Sequence, residues 1–216
     1  MVTDFLRLFF MVLLVMDPIG LIPQFLSVTA HYDAGTRKGI ILKAVLIAGS
    51  VLLVFLLIGK LLLQFFGILP GAFYISGGIL FFTIAFGMIY SRPRISRNMT
   101  HQRPDPDGED AEERSDLSVA LFPLAIPFIA GPGLLTVIIM FVSKGESWLK
   151  AVAMLLPVIV ISLVTVYLTL RFSVLLLKFF GSLGISVIEK IMGLILAGFA
   201  VQFVYDGLLS LGIIHP

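Results

Sequence analysis

Asp17-Pro18-Ile19-Gly20-Leu21-Ile22-Pro23 lies inside an apolar run from Phe5 to Thr29, and Pro127-Phe128-Ile129-Ala130-Gly131-Pro132-Gly133 lies inside a second run from Ser118 to Ser143. Each run is long enough for a helix to cross the hydrocarbon layer, which takes about 20 residues. Each is interrupted by the two residue types a helix interior tolerates least. Proline lacks an N–H and clashes with the carbonyl one turn back. Glycine opens backbone angles closed to other residues. In lipid, a backbone group freed by such a break must be satisfied by protein or by a wet cavity. A half-helix also presents its ends: the N-terminal end attracts carboxylates and the carbonyl end attracts cations. Two packing kinks are one reading. Two parts of one solute site are the other, and matched breaks in two spans favour it.

Working outward, four more runs span the same thickness: Ile40–Leu63, Ala72–Tyr90, Leu149–Leu170 and Val187–Leu211. The chain has 216 residues, 59% of them hydrophobic and only 13% charged, with a mean hydropathy of +1.09. A soluble domain carries about 25% charged residues, so lipid must cover much of this surface. The net charge of +2 is no argument for nucleic acid, and none is expected as a partner. There is no cysteine, and His31, His101 and His215 all lie outside the apolar runs. Thiol chemistry, iron–sulfur clusters and a histidine-built metal site are therefore not expected, and neither is a cofactor. Asp4 weakens the basic flank of Leu8–Met16, no small-residue cleavage site follows and the apolar character resumes beyond Asp17, so a cleaved signal peptide is not expected either.

The charges lie mainly between the runs. Arg92–Asp116 is the one long polar stretch, with Arg, Pro, Asp and Glu throughout, and its composition predicts a disordered tether. Eleven Lys and Arg, among them Arg37, Lys38, Arg92, Arg94, Arg171 and Lys190, fall on one side of the alternating spans. Only Arg7, Lys60, Lys144 and Lys150 fall on the other. The richer side is cytoplasmic by the positive-inside rule, which puts both termini in the periplasm and Trp148 in the outer interface belt.

A slide of 114 residues lays Asp17-Pro18 on Gly131-Pro132, and a slide of 115 lays Gly78-Ile79-Leu80 on Gly193-Leu194-Ile195. Two matches at nearly one offset, on spans of equal rank, predict a duplication: residues 1–91, a cytoplasmic loop 92–117, and residues 118–216. Three spans is an odd number, so the second half enters the membrane from the opposite side. The expected fold is an all-α membrane protein of six transmembrane helices, two inverted-topology three-helix repeats with interrupted helices 1 and 4.

Asp17 is the one acidic residue in the middle of an apolar run. A central Asp costs about 2.5–3.5 kcal/mol on insertion scales, so it should face the interior. Three roles stay open: binding a substrate ammonium, carrying a coupling H⁺ or Na⁺, or capping the half-helix that starts at Pro18. Lys43, Glu189 and Lys190 lie near helix ends and read as snorkelling residues. Asp206 reads as interfacial. Ser76-Gly77-Gly78, Gly193 and Gly198 read as close-packing sites between helices.

Val15-Met16-Asp17-Pro18-Ile19-Gly20, Phe122 through Gly133, and Glu189 through Leu196 resemble the MarC family of six-span membrane proteins, with the look of its YhgN-like branch. The resemblance covers nearly the whole chain outside Arg92–Asp116. It implies an inner-membrane protein related to the LysE-type exporters, some relatives of which are described as transporters of small neutral amino acids. Carried over by motif, the implied substrate-binding positions are Asp17, Pro18, Gly20, Pro23, Gly131, Pro132 and Gly133. The family commonly has Asn after the first Gly, where this chain has Leu21. The expected function is a secondary transporter of a small polar solute, with H⁺ or Na⁺ as the candidate coupling ion. A non-transporting scaffold or regulatory subunit is the alternative. An enzyme is not expected, because neither a nucleophile–base set nor a second central carboxylate pairs with Asp17 in the sequence.

Overall fold

The computed structural model describes residues 2–90, 124–126, 129–144 and 148–215. The expected tether Arg92–Asp116 lies outside the described residues, as does the start of the predicted fourth span. All the regular elements described are helical: α1 (Val2–Met16), α2 (Leu21–Val28), α3 (Ala34–Phe65), α4 (Pro70–Tyr90), α5 (Pro132–Lys144), α6 (Trp148–Arg171) and α7 (Ser173–Ser210). Among the described residues, α3, α4, α6 and α7 are each long and apolar enough to cross a membrane. The pair α1 and α2, bent by 40° at its break, makes a fifth candidate, and α5 is a shorter apolar helix. Leu42, Leu46, Leu57, Leu61, Phe82, Phe86, Val160, Val164, Leu194 and Val201 stand outward on these helices. Water would not tolerate so large an apolar surface, and lipid supplies its solvent.

Helix boundaries follow caps more than hydropathy. α3 starts at Ala34, six residues before the apolar run begins, because Asp33 caps it: its carboxylate accepts from the N–H groups of Gly35 and Thr36 and from the Thr36 hydroxyl. These hydrogen bonds hold the exposed Asp33 carboxyl below its ordinary pKa, the Thr36 hydroxyl most of all. Arg37 closes the same turn, donating from Nε to the Thr29 carbonyl at 2.9 Å and from an Nη to the Ala30 carbonyl at 3.2 Å. α7 starts at Ser173, well before the expected Val187. The Phe172 N–H reaches the Leu168 carbonyl and the Leu176 N–H reaches Phe172, so helical bonding runs across the junction with α6.

One corner device occurs twice. Leu61-Leu62-Leu63-Gln64-Phe65-Phe66-Gly67 ends α3, and Leu175-Leu176-Leu177-Lys178-Phe179-Phe180-Gly181 bends α7. Gly67 has φ 65° and Gly181 φ 66°, the left-handed region that glycine enters without a Cβ penalty. Before each corner the two rings meet edge to face, at 5.3 Å for Phe65 and Phe66 and at 5.0 Å for Phe179 and Phe180.

The closest helix seam joins α4 to α7, antiparallel and glycine-lined. A Cβ on Gly78 would lie 2.7 Å from the Ala200 carbonyl oxygen, and one on Gly193 would lie 3.2 Å from that of Ala85. A Cβ on Gly207 would lie 2.8 Å from the Gly71 carbonyl oxygen. Backbone therefore packs on backbone along the whole seam. Across α3 and α6, Gly49 faces Leu163, whose Cδ1 would be 3.1 Å from an added Cβ. The buried core runs between these pairs through Leu52, Leu56, Phe81, Leu155, Val158 and Leu196.

Candidate functional site: a cleft between two helix breaks

The first break is a turn, Asp17–Gly20, between α1 and α2. Asp17 has φ 42°, a left-handed conformation in which Asp is one of the few tolerated non-glycine residues. Its Oδ1 accepts from the Gly20 N–H at 3.1 Å, and its carbonyl accepts from Leu21 N–H at 3.1 Å. The helix expected to start at Pro18 starts at Leu21, with Gly20 at its N-cap position, so the Asp17 carboxylate closes the turn leading into α2 by a cap-like bond and does not cap the helix itself. A Cβ on Gly20 would collide with Asp17 Oδ2, because the carboxylate occupies that space.

The second break precedes α5. Residues 124–126 and 129 have wide π-helical turns, and Ala130 N–H bonds to the carbonyl five residues back, at Ala125. Such turns are rare and recur at functional sites. Regular α-helix resumes at Pro132, the first-turn position where a missing N–H costs nothing. Leu135 N–H then bonds to the Gly131 carbonyl. Gly133 lets α5 press on α4: a Cβ there would lie 2.8 Å from the ring of Phe81.

The two breaks line one cleft of about 340 Å³. Val15, Met16, Asp17, Gly20, Leu21 and Gln24 form one wall, Gly131, Pro132, Gly133 and Leu134 the facing wall, and Leu80, Ile84, Met88 and Glu189 the rest. Of the positions expected at a site, Asp17, Gly20, Gly131, Pro132 and Gly133 are thus brought together. Pro18 is buried in the turn outside the lining, and Pro23 is exposed on α2. Leu21, at the departure from the family motif, faces the cleft.

Glu189 is the lining residue that the sequence reading passed over, assigning it to the helix end. A signal was present. Ile185, Gly193, Leu196, Ala200, Phe203 and Gly207 form the buried stripe of α7, and Glu189 stands on it one turn before Gly193. The cleft therefore carries two carboxylates, Asp17 in the α1–α2 turn and Glu189 on α7. Both ends of the broken helices also abut it, the carbonyl end of α1 at Met16 and the N-terminal end of α5 at Pro132. Cationic and anionic groups of one small molecule find opposite fields there.

A bundle of long apolar helices whose outer surface needs lipid, with two carboxylates set in an otherwise apolar cleft, defines an integral membrane protein. The chain belongs to the MarC family: residues 2–211 match the family described as MarC family integral membrane protein. It is 34% identical over 90% of its length to a UPF0056 membrane protein of Methanocaldococcus jannaschii, covering 82% of that protein. It is 33% identical to the UPF0056 inner membrane protein YhgN of Escherichia coli, covering 92% of each chain. A UPF0056 membrane protein of Aquifex aeolicus is 33% identical, over 96% of this chain and 93% of its own. No solved structure matches.

Proposed function

We propose that this chain is an inner-membrane secondary transporter of small polar solutes, with neutral amino acids as the substrate class, working as an inverted repeat of two three-span halves. It is read as a transporter and not as an enzyme. The carrying observation is that both helix breaks, Asp17 and Glu189 line one cleft. An amino acid fits it chemically: its ammonium toward the carboxylates and the end of α1, its carboxylate toward the first turn of α5. Asp17 is the candidate carrier of a coupling H⁺ or Na⁺.

Internal symmetry supports the repeat. At the 114 offset, α3 and α6 begin at matching positions, Ala34 and Trp148, and the corner glycines 67 and 181 coincide. At the 115 offset, Gly78 maps on Gly193 and Ala85 on Ala200, so the contact of Gly78 with Ala200 maps on the contact of Gly193 with Ala85. Such interchange is the mark of a two-fold interface. Gly49 and Leu163, 114 apart, face each other, as residues beside the axis must. The charge bias supports both termini facing the periplasm.

The test is flux. Purified protein in liposomes should take up labelled alanine or glycine under an imposed H⁺ or Na⁺ gradient. Uptake no greater than in empty vesicles, for every neutral amino acid, would falsify the substrate class.

A further inference from the structure

We infer that Tyr74 and Phe203 form the closed gate of a second access path, opening on the membrane face opposite the cleft. The inference rests on the transport and repeat reading above. The 115 offset that interchanges the seam contacts also maps Met88 on Phe203 and Tyr74 on Glu189. Met88 and Glu189 line the open cleft. Their two mates sit toward the other end of the same helix pair and do the opposite. The rings of Tyr74 and Phe203 meet edge to face at 6.0 Å, and Phe203 lies 5.1 Å from Phe81. Tyr74 is 6% exposed, Phe203 7% and Phe81 0%. Where one half leaves a space, the other half fills it with aromatic rings.

The plug connects physically to the cleft. Phe81 touches it on one side and approaches Gly133 of the cleft wall on the other. Thr136 of α5 packs on Gly77, on the α4 face between Tyr74 and Phe81. One turn past Phe203 on α7, Asp206 accepts a 2.8 Å hydrogen bond from Gln202, which puts a polar pair at that end of the helix. In an inverted repeat, the alternative access state arises when the halves exchange conformations. Exchange here means that the Tyr74–Phe203 contact parts while the Met88–Glu189 side closes.

The chain has no cysteine, so single cysteines report access without background. Gln24→Cys in the cleft and Thr136→Cys behind the plug are reconstituted in oriented vesicles and treated with a membrane-impermeant maleimide from each side. Gln24→Cys should label from one side. Thr136→Cys should be protected from both. Adding Tyr74→Ala or Phe203→Ala should remove that protection, from the side opposite to Gln24→Cys. Tyr74→Phe, which keeps the ring, should retain it. Tyr74→Leu, which fills the volume without a ring, serves if the alanine variants do not fold, and should also open the path. Continued protection in the folded opened variants, or labelling from the Gln24 side, overturns the gate. Access needs no solute, so absence of amino-acid flux with the labelling pattern intact would sink the substrate and leave the gate standing.

Discussion

The carboxylate of Asp17 occupies the volume that a side chain on Gly20 would need, its Oδ2 lying against the site of the missing Cβ. Gly20 itself has φ −65° and ψ −21°, angles any residue adopts, so the requirement for glycine is spatial and not conformational. Gly20→Ala must expel the carboxylate from its cap-like bond or displace the α1–α2 turn. The expected loss is about 1–3 kcal/mol, the range for overpacking a filled interior. Gly39→Ala is the control: nothing lies within 4 Å of its Cβ, and in a helix the change should stabilise by up to about 1 kcal/mol. Thermal unfolding in detergent should separate the two in opposite directions.

Asp17→Asn divides the cap-like bond from the charge. The amide oxygen still accepts from the Gly20 N–H, and Asn makes such a bond as well as Asp. Folding and melting temperature should therefore change little. Coupled solute flux should be abolished or uncoupled. If flux keeps its full dependence on the ion gradient in the Asn variant, Asp17 does not carry the ion.

The α4–α7 seam should be intolerant of a single methyl group. At Gly78 and Gly207 the added carbon meets carbonyl oxygens at 2.7 and 2.8 Å, and backbone cannot rotate aside. Gly78→Ala and Gly207→Ala should each cost at least about 1–3 kcal/mol. The lone Trp148 offers an intrinsic fluorescence signal for unfolding. Unaltered melting of both variants would contradict the packing.

The turn from α2 to α3 should loosen in acid. Asp33 titrates below the ordinary carboxylate range in the folded chain because its ionised form accepts the Thr36 hydroxyl and the Gly35 and Thr36 N–H bonds. A lowered folded pKa contributes stability that is whole above the unfolded value and fades as pH falls through the folded one. Hydrogen exchange at the first turn of α3 should accelerate across that acidic window, and Asp33→Ala should give fast exchange at neutral pH as well. Arg37→Lys should weaken the turn too, since one ammonium cannot reproduce the planar guanidinium fork on the Thr29 and Ala30 carbonyls.

How much of this was legible beforehand depends on the scale of the cause. Proline and glycine at mid-span are local signals, and of the positions they pointed to, Asp17, Gly20, Gly131, Pro132 and Gly133 line one cleft while Pro18 and Pro23 do not. The bond of Asp17 to Gly20 N–H was legible for the same reason, although it closes a turn before α2 and not the first turn of a helix from Pro18. Glu189 was not, because hydropathy ranks a charge near a helix end as interfacial, and only the seven-residue stripe through Gly193 and Ala200 shows which face it takes. The stretch of α7 before its kink at Gly181 was missed because Lys178, Gly181 and Ser182 lower the local hydropathy and set Ser173–Phe180 apart from the apolar run that follows. The paired Leu61–Gly67 and Leu175–Gly181 corners were in plain view as sequence. They lie at the edges of the apolar runs, where a reading by span lengths has least reason to look.

The glycine seam has a mechanical consequence. Side chains that interlock can exchange rotamers and ratchet past one another, but carbonyls resting on bare α-carbons have no second set of notches. α4 and α7 should then rock about this seam as a fulcrum, without sliding along it, so that parting at the Tyr74–Phe203 end accompanies closing at the Met88–Glu189 end.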